Sequence, residues 1–259
     1  MKIDVKKLSF EYKNNIVLDS ISFSATTGDF ICVLGKNGAG KSTLLKCISK
    51  ILKAKSGEIT IDNKSINKIT SKKYAQLISY VPQNYSPVYS CTVSDFLLMG
   101  RNPYLSAFDT LSSNDKKIVQ DILDEFKMGK YADTKISQLS GGEQKKLLLM
   151  RALVQETPII VLDEPTNQLD YGTKTYFMEM LKRLAEKGKI IIISTHVPED
   201  ALNYATKTII INDKTNKIYD KESLTEEELM KLYSVRLELI KGNCIQKSAC
   251  VSMTIKEDK

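Results

Sequence analysis

Residues 35–42 form a glycine-bearing loop of the type that binds phosphate groups. They read Gly-Lys-Asn-Gly-Ala-Gly-Lys-Ser and match the pattern G-x-x-x-x-G-K-S/T. In such a loop the glycines let backbone N–H groups face phosphate oxygens, the lysine contacts the β and γ phosphates, and the serine holds Mg²⁺. We therefore predict a nucleoside triphosphate site with Mg²⁺, held by Gly35, Lys36, Asn37, Gly38, Ala39, Gly40, Lys41, Ser42 and Thr43.

A second glycine-bearing loop, Leu139–Glu143, has two interpretations. Ser140 and Glu143 have the spacing of a capping box, which begins a helix and needs no ligand. Such a box does not require the adjacent Gly141 and Gly142, because glycine inside a helix costs up to about 1 kcal/mol. Adjacent glycines at a helix start instead expose N–H groups to an anion. The residues alone do not say whose phosphate would bind there.

Two carboxylates follow the apolar run Ile159–Leu162. In an open parallel sheet, ligands bind beyond the carboxyl ends of the strands. We therefore expect Asp163 to face Mg²⁺, which keeps several waters and uses one or two carboxylates. Glu164 is placed to accept a proton from the attacking water or to polarise it. A positioned base of this kind contributes roughly 10²–10⁴-fold to the rate.

Three further side chains are candidates for the same site. His196, the only histidine, follows a predicted core strand and is expected near the γ-phosphate, although a lone histidine is more often structural. Gln83 follows the strand Ile78–Val81, where its amide would touch Mg²⁺ or the attacking water, or report the nucleotide state to the helices beyond; a surface glutamine is the alternative. Tyr12 either stacks on the base or is an aromatic residue of the core.

The elements that would position these residues alternate as in a layered α/β fold. Strands Val5–Tyr12 and Ile16–Ala25 read as an antiparallel pair. The run Phe30–Leu34 suits a strand buried on both faces, and Ser42–Ile51 has helical apolar spacing. Strand, glycine loop and helix is the context that supports the phosphate loop.

The middle of the chain reads as helical. Capping boxes at Thr92–Asp95, Ser112–Asp115 and Ser140–Glu143 have no convincing strand between them, which predicts a helical subdomain inserted at about residues 84–155. Core elements then return, followed by a polar tail; they are predicted as strands Ile159–Leu162, Lys189–Ser194 and Thr208–Ile211 and helices Lys174–Glu186 and Thr225–Tyr233.

Composition narrows the class of protein. The 259 residues are 42% hydrophobic and 27% charged, as in globular proteins, and no apolar run approaches the roughly 18 residues of a membrane span. The N-terminus lacks the apolar segment of a signal peptide, which predicts a cytosolic protein. Lysines are scattered, so the net charge of +7 does not predict binding to nucleic acid. The five cysteines lack a CxxC spacing and are expected to be reduced; they are Cys32, Cys47, Cys91, Cys244 and Cys250.

Taken together, these motifs resemble the ATP-binding subunit of ATP-binding cassette transporters over about residues 3–235. The resemblance is carried, in the family's order, by 35–42, Gln83, 139–143, 159–164, 167–170 and His196. It implies a P-loop NTPase core with a RecA-like layered sheet, and an ATPase that works as a head-to-tail dimer around two ATPs.

The same resemblance implies roles for particular residues. Ser140, Gly141, Gly142 and Glu143 would close on the ATP of the other subunit, and Asp170 would lie in a loop that crosses the dimer interface. Ser42, Asp163 and Gln83 would lie at Mg²⁺. Tyr12 would stack on adenine.

A narrower resemblance, to importers of ferric siderophores, haem and cobalamin, is carried by 92–95, 100–103, 224–225 and 232–235. It implies a second copy or a paralogue as partner, transmembrane permease subunits, an indirect link to a substrate-binding protein, and a position at the cytoplasmic face of the membrane. The domain would span 1–235, with 236–259 as a tail. Lys36 stands where proline is frequent, and residues 144–146 read Gln-Lys-Lys for Arg-Gln-Arg.

The alternative function is that of a soluble cassette ATPase of translation or DNA repair. The span from Lys41 to Leu139 is too short for the coiled coil or zinc module of the repair enzymes, and translation cassettes usually carry two such domains. An ordinary P-loop kinase or GTPase is disfavoured by the second glycine loop and by the lack of Asn-Lys-x-Asp.

Overall fold

The structure is a computed structural model that describes residues 1–83, 91–106, 109–167, 169–212, 215–220, 223–234, 236–241 and 249–254. The part of the predicted helical subdomain at 84–90, together with Gln168, Val235 and Cys244, lies outside the described residues. The strands are β1 (Lys2–Tyr12), β2 (Asn15–Thr26), β3 (Phe30–Leu34), β4 (Ser56–Ile61), β5 (Lys64–Ser65), β6 (Ile78–Val81), β7 (Ile159–Asp163), β8 (Ile190–Thr195), β9 (Lys207–Asn212), β10 (Thr215–Asp220), β11 (Arg236–Lys241) and β12 (Ala249–Thr254). The helices are α1 (Lys41–Ile48), α2 (Ser71–Ala75), α3 (Val93–Leu98), α4 (Ser113–Glu125), α5 (Gly141–Val154), α6 (Tyr171–Glu186), α7 (Pro198–Tyr204) and α8 (Glu226–Tyr233).

A six-stranded sheet with the order β10-β9-β3-β8-β7-β6 forms the centre of the molecule. Its five strands from β9 to β6 are parallel, and β10 pairs antiparallel to β9. The carboxyl ends of β3, β6, β7 and β8 therefore lie along one edge of the sheet. This edge is where an α/β sheet binds its ligands. The predicted α/β class with a layered sheet is confirmed.

Both faces of the five parallel strands are buried, and alternate residues of β3 serve different cores. Phe30, Cys32 and Leu34 of β3 face a core shared with α3 to α8. Ile31 and Val33 face a second core, shared with α1 and the antiparallel sheet. Continuous apolar strands are therefore required here, because neither face meets water.

The antiparallel sheet has the order β2-β1-β4-β5, and β1 pairs with β2 from Lys2↔Thr26 to Tyr12↔Asn15. The predicted N-terminal pair is thus confirmed. The three predicted capping boxes are also present, each with both reciprocal bonds, at the starts of α3, α4 and α5. Between residues 91 and 155, the described residues contain no strand apart from one isolated bridge, Thr92↔Lys135.

Several predicted boundaries were wrong. Helix α1 ends at Ile48, because Lys50 turns to φ 59°, and Ile51 is 55% exposed outside the helix. Helix α6 begins at Tyr171, three residues earlier than predicted. The strands β4, β5 and β10 were missed. Within the residues predicted as a tail, 236–259, β11 pairs antiparallel with β12 in the register Arg236↔Thr254.

Among the described residues, none of the helices combines the length and the apolar character that crossing a membrane requires. Cys32, Cys47 and Cys91 are free thiols, as expected.

Candidate active site

The loop between β3 and α1 requires glycine at three positions because of its backbone conformation and a close backbone contact. Gly38 and Gly40 have φ values of 84° and 97°, in the left-handed region that favours glycine. A Cβ on Gly35 would lie 2.6 Å from the carbonyl oxygen of Ile211. Lys36 and Asn37 are exposed, the Ala39 N–H donates to the Lys36 carbonyl, and Thr43 is buried in the first turn of α1; these residues complete the predicted loop. The loop is therefore a cradle of backbone that side chains would fill.

Lys41 brings a buried cation to this cradle. Its side chain is 4% exposed, and its Nζ donates to the carbonyl oxygens of Gly35 at 2.9 Å and Lys36 at 3.0 Å. The same Nζ lies 3.4 Å from Oε1 of Glu164. The ammonium group thus joins the loop to the carboxylate after β7, which suits contact with a phosphate between them.

Asp163 lies at the end of β7 and gathers three hydroxyl groups. Oδ1 accepts from Ser42 Oγ at 2.9 Å and from Ser194 Oγ at 2.6 Å, and Oδ2 accepts from the Tyr80 hydroxyl at 3.4 Å. Burial and the neighbouring carboxylate raise the pKa of Tyr80 above its usual range. The Ser42 hydroxyl and the Asp163 carboxylate are oxygen donors of the kind Mg²⁺ prefers. Among the described residues no group of three or more His, Cys, Asp or Glu forms a separate metal cluster.

Glu164 is the residue on which the predicted catalytic groups converge. Its side chain is 8% exposed, and its backbone has a φ of 44°. Oε2 accepts from Gln83 Nε2 at 2.8 Å and from the amide of Asn167, and it lies 3.6 Å from Nδ1 of His196. Nδ1 of His196 is enclosed and has no hydrogen-bond partner among the described residues. The structure therefore brings the side chains of Gln83, Glu164 and His196 together.

The second glycine loop lies at the start of α5 and keeps its serine occupied. Ser140 Oγ donates to Glu143 Oε2 at 2.6 Å, and the Ser140 N–H donates to the same oxygen at 2.8 Å. These bonds lower the pKa of Glu143. A Cβ on Gly141 or Gly142 would meet no atom within 4 Å. No hydrogen bond or ion pair of the described residues joins 139–143 to 35–42. As the start of a helix, this loop has first-turn N–H groups without intrahelical partners, which can bind an anion.

The remaining predicted residues lie apart from this centre. Asp170 is the N-cap of α6, with Oδ1 accepting from the Thr173 N–H at 2.9 Å. Tyr12 ends β1, is 48% exposed, and packs against Phe10 edge to face at a ring distance of 4.7 Å. Tyr12 is therefore not a core residue, because nearly half of it is exposed.

The contacts that three residues make in the site were not predicted from the sequence. Ser194 is fully buried: its hydroxyl donates to the Asp163 carboxylate and accepts from the backbone N–H of Glu164 at 2.9 Å. Asn167 binds Glu164, and Lys145 of α5 donates to the Asn167 carbonyl oxygen. Burial lowers the pKa of Lys145, and Glu164 acts in the opposite direction. A serine directly after four isoleucines indicates a buried polar contact, but the sequence does not indicate which residues the serine contacts.

Comparison with known proteins adds independent support. The chain matches the family model described as ABC transporter over residues 18–167. It is 33% identical over 246 residues to a protein of Helicobacter pylori named probable iron chelatin transport ATP-binding protein, covering 93% of this chain and 96% of that one. A solved transporter in an inward-facing conformation, described as of the metal-chelate type, aligns with a TM-score of 0.85, 27% identity and coverage of 97% and 96%. A dimeric ATP-binding cassette in a post-hydrolysis state, bound to ADP and Pi, aligns with a TM-score of 0.74, 27% identity and coverage of 85% and 98%.

Proposed function

We propose, on the premise that this chain belongs to the ABC transporter family, that it hydrolyses ATP to power uptake of an iron complex, haem or cobalamin through a separate membrane protein. That the chain is an ATPase subunit of a transporter follows from the family. The proposal adds its dimeric state, its Mg²⁺, its membrane partners and its cargo class.

The convergence on Glu164 is the observation that carries the catalytic part of this proposal. One buried carboxylate lies within 3.6 Å of Lys41, Gln83 and His196. A base must reach the proton it abstracts, and the groups that orient the water must surround the same point. Glu164 is placed to accept that proton, while Gln83 and His196 hold the water and the γ-phosphate in line.

The phosphate-binding part follows from the loop and the end of β7. Backbone N–H groups of 35–42 and the Lys41 ammonium stabilise the charge on the transferred phosphate. Ser42 and Asp163, with Gln83 as the further predicted contact, are the residues that would hold Mg²⁺. When bound, Mg²⁺ would supply positive charge that offsets the charge of the phosphate groups. Tyr12 would stack on the adenine ring.

The dimeric part rests on Ser140–Glu143. The start of α5, where a Cβ on Gly141 or Gly142 would meet no atom within 4 Å, suits a phosphate that this chain's own loop does not hold. Two copies arranged head to tail would satisfy both halves, with Asp170 near the contact between them. A similar cassette has been solved as a dimer with ADP and Pi. ATP binding would close this dimer, and hydrolysis would reopen it.

Import of a chelated metal or cofactor is supported by the relatives. The Helicobacter pylori protein is named for iron chelatin transport, and the neighbouring transporter structure is of the metal-chelate type. The helices α3 to α5 would pass the closing motion to permease subunits at the cytoplasmic face of the membrane. A substrate-binding protein would deliver the cargo to the permease. Nucleic acid has no part in this cycle, and the rival role in translation or DNA repair has no observation in its favour.

The experiment is ATP hydrolysis by the chain co-purified with its membrane subunits and reconstituted in vesicles. Glu164→Gln is isosteric, keeps the site's shape and removes the base. We expect it to retain ATP binding, form an ATP-stabilised dimer and lose at least about 100-fold in turnover. The matched control is Glu186→Gln at the exposed end of α6, which should hydrolyse ATP normally.

Normal turnover by Glu164→Gln would refute the base assignment. The cargo class is tested separately, with ferric siderophore, haem and cobalamin each offered to the wild-type vesicles. We expect at least one of them to be taken up in an ATP-dependent manner. Uptake of none of the three by an active transporter would refute the cargo proposal and leave the ATPase assignment intact.

A further inference from the structure

The end of helix α8 contacts both loops that flank the candidate active site. The Tyr233 hydroxyl donates to the backbone carbonyl oxygen of His196 at 2.7 Å. One residue further, Ser234 Oγ accepts from Lys36 Nζ at 3.2 Å. Ser234 thus contacts the phosphate loop, about 200 residues earlier in the sequence. Tyr233 contacts the loop around His196, which we call the histidine loop, about 40 residues earlier.

Helix α8, which carries these contacts, is anchored in the hydrophobic core. Leu229 and Leu232 are 0% and 2% exposed, and they belong to the core that also contains Ile191 and Ile193 of β8. Thr225 caps the start of the helix. A side chain on an anchored helix holds its partner better than one on a free loop, because less of its motion has to be restrained.

The two contacts also depend on the way the helix ends. Ser234 has a φ of 58°, and its N–H donates to the Met230 carbonyl oxygen at 2.8 Å. This left-handed turn closes the helix and places the serine hydroxyl beside Lys36. Burial raises the pKa of Tyr233 above its usual range, so its hydroxyl stays a donor at all working pH values.

The histidine loop is held on its other side by separate bonds. The Thr195 hydroxyl donates to Asp200 at 2.8 Å and accepts from the Val197 N–H at 3.0 Å. Asp200 is in turn paired with Lys174 at 2.8 Å. These bonds fix the residues flanking His196, and the Tyr233 hydroxyl fixes the carbonyl of His196 itself.

We propose that Tyr233 is a positioning residue for His196, and that the Ser234–Lys36 bond sets the phosphate loop at the same helix end. This inference rests on the proposed catalytic role of His196 and adds the residue that orients the histidine. A misplacement of about 1 Å at a reacting group can cost about 100-fold in rate. Loss of one hydrogen bond, with the ring still packed, shifts the histidine less than that.

The test is Tyr233→Phe, which removes the hydroxyl and keeps the ring. We expect kcat for ATP hydrolysis to fall about three- to tenfold, the range of one hydrogen bond, while KM for ATP changes less than about twofold. The control is Tyr104→Phe, because the Tyr104 hydroxyl donates to the Gln155 carbonyl oxygen at the same 2.7 Å. The Tyr104 bond is more exposed than the Tyr233 bond, so Tyr104→Phe should lose less stability, and only Tyr233→Phe should lose kcat.

A second variant, Ser234→Gly, removes the bond to Lys36 and suits the left-handed backbone. It should raise KM for ATP by about two- to fivefold with kcat nearly unchanged, since it acts on the phosphate loop. A wild-type KM in Ser234→Gly would refute the proposal that the Ser234–Lys36 bond positions the phosphate loop.

His196→Ala separates this inference from the function on which it rests. Near-wild-type turnover by His196→Ala would refute the role of His196. Strong loss in His196→Ala, with unchanged kcat in Tyr233→Phe, would refute only the positioning role. The double variant gives a further readout: if Tyr233 acts through His196, Tyr233→Phe should reduce the residual rate of His196→Ala by less than about twofold. A full additional loss would contradict the proposal.

Discussion

Replacing Ser194 by alanine tests how the two carboxylates of the site are held. Ser194 is fully buried, donates to Asp163 Oδ1 at 2.6 Å and accepts from the Glu164 N–H at 2.9 Å. Its removal leaves a buried N–H unpaired, which costs about 1–3 kcal/mol. It also removes a hydrogen bond to a charged group, worth about 1.5–3 kcal/mol. Since the two losses share one side chain, we expect the free energy of unfolding to fall by about 2–4 kcal/mol.

The catalytic effect should exceed what lost stability explains. Glu164 has a φ of 44°, and a non-glycine residue in this region stores about 1–3 kcal/mol that its surroundings must hold. Without the bond that its N–H donates to Ser194, Glu164 is expected to relax away from Gln83. Turnover should fall at least about tenfold under conditions where the protein is fully folded, whereas nucleotide binding by the loop at 35–42 should change little.

The assay is denaturant unfolding together with steady-state ATP hydrolysis. The control is Ser49→Ala, because the enclosed Ser49 hydroxyl has no hydrogen-bond partner among the described residues. Ser49→Ala should be neutral in both measurements. If Ser194→Ala matched Ser49→Ala in stability and turnover, the view that Ser194 holds Glu164 would be wrong.

Two further predictions concern parts of the chain outside the Glu164 cluster. Arg101 is buried between Asp115 at 2.8 Å and Glu156 at 2.9 Å, so Arg101→Met should lower the free energy of unfolding by about 3 kcal/mol, while Met at exposed Arg183 should not. Hydrogen bonds from Ser112 and Arg101 lower the pKa of Asp115 to about 2. The carboxylate therefore stabilises the fold above about pH 4, and this stabilisation is lost as the pH falls towards 2. In urea titrations, the difference in free energy of unfolding between wild type and Arg101→Met should become smaller over that range. Ser140→Arg should abolish hydrolysis while the nucleotide affinity of the monomer stays nearly unchanged, as equilibrium binding would show; an equal collapse of affinity would place the loop in its own subunit's site.

Local signals in the sequence predicted those parts of the fold whose cause is local. A capping box needs only its own four residues, and all three boxes form as expected. All five residues of β3, Phe30–Leu34, are buried. Their continuous apolar character in the sequence was enough to predict a strand with both faces buried. By contrast, β4 begins with exposed Ser56, Gly57 and Glu58, so its pairing with β1 leaves no apolar alternation to detect.

The sequence predicted which residues belong to the candidate site, but not which of them contact each other. Glu164, Gln83 and His196 each end a core strand or follow one, and the strand order then brings them together. Contacts such as Tyr233 to His196 depend on where α8 packs, which no nearby residue encodes. Ser194 was visible as a polar residue ending an apolar strand, but its two partners follow only from the register of β7 with β8.

The most direct test of the central claim, that an ATP site is completed by a second copy, is to mix two inactive variants. Glu164→Gln disables the site that a chain holds, and Ser140→Arg disables the loop that it offers to its neighbour. In a mixed head-to-tail dimer, one site carries both defects and the other carries neither. Random mixing should therefore restore about a quarter of wild-type ATP hydrolysis, since half of the dimers are mixed and each of these has one intact site. Hydrolysis that stays at the level of the separate variants, while mixed dimers demonstrably form, would contradict the claim.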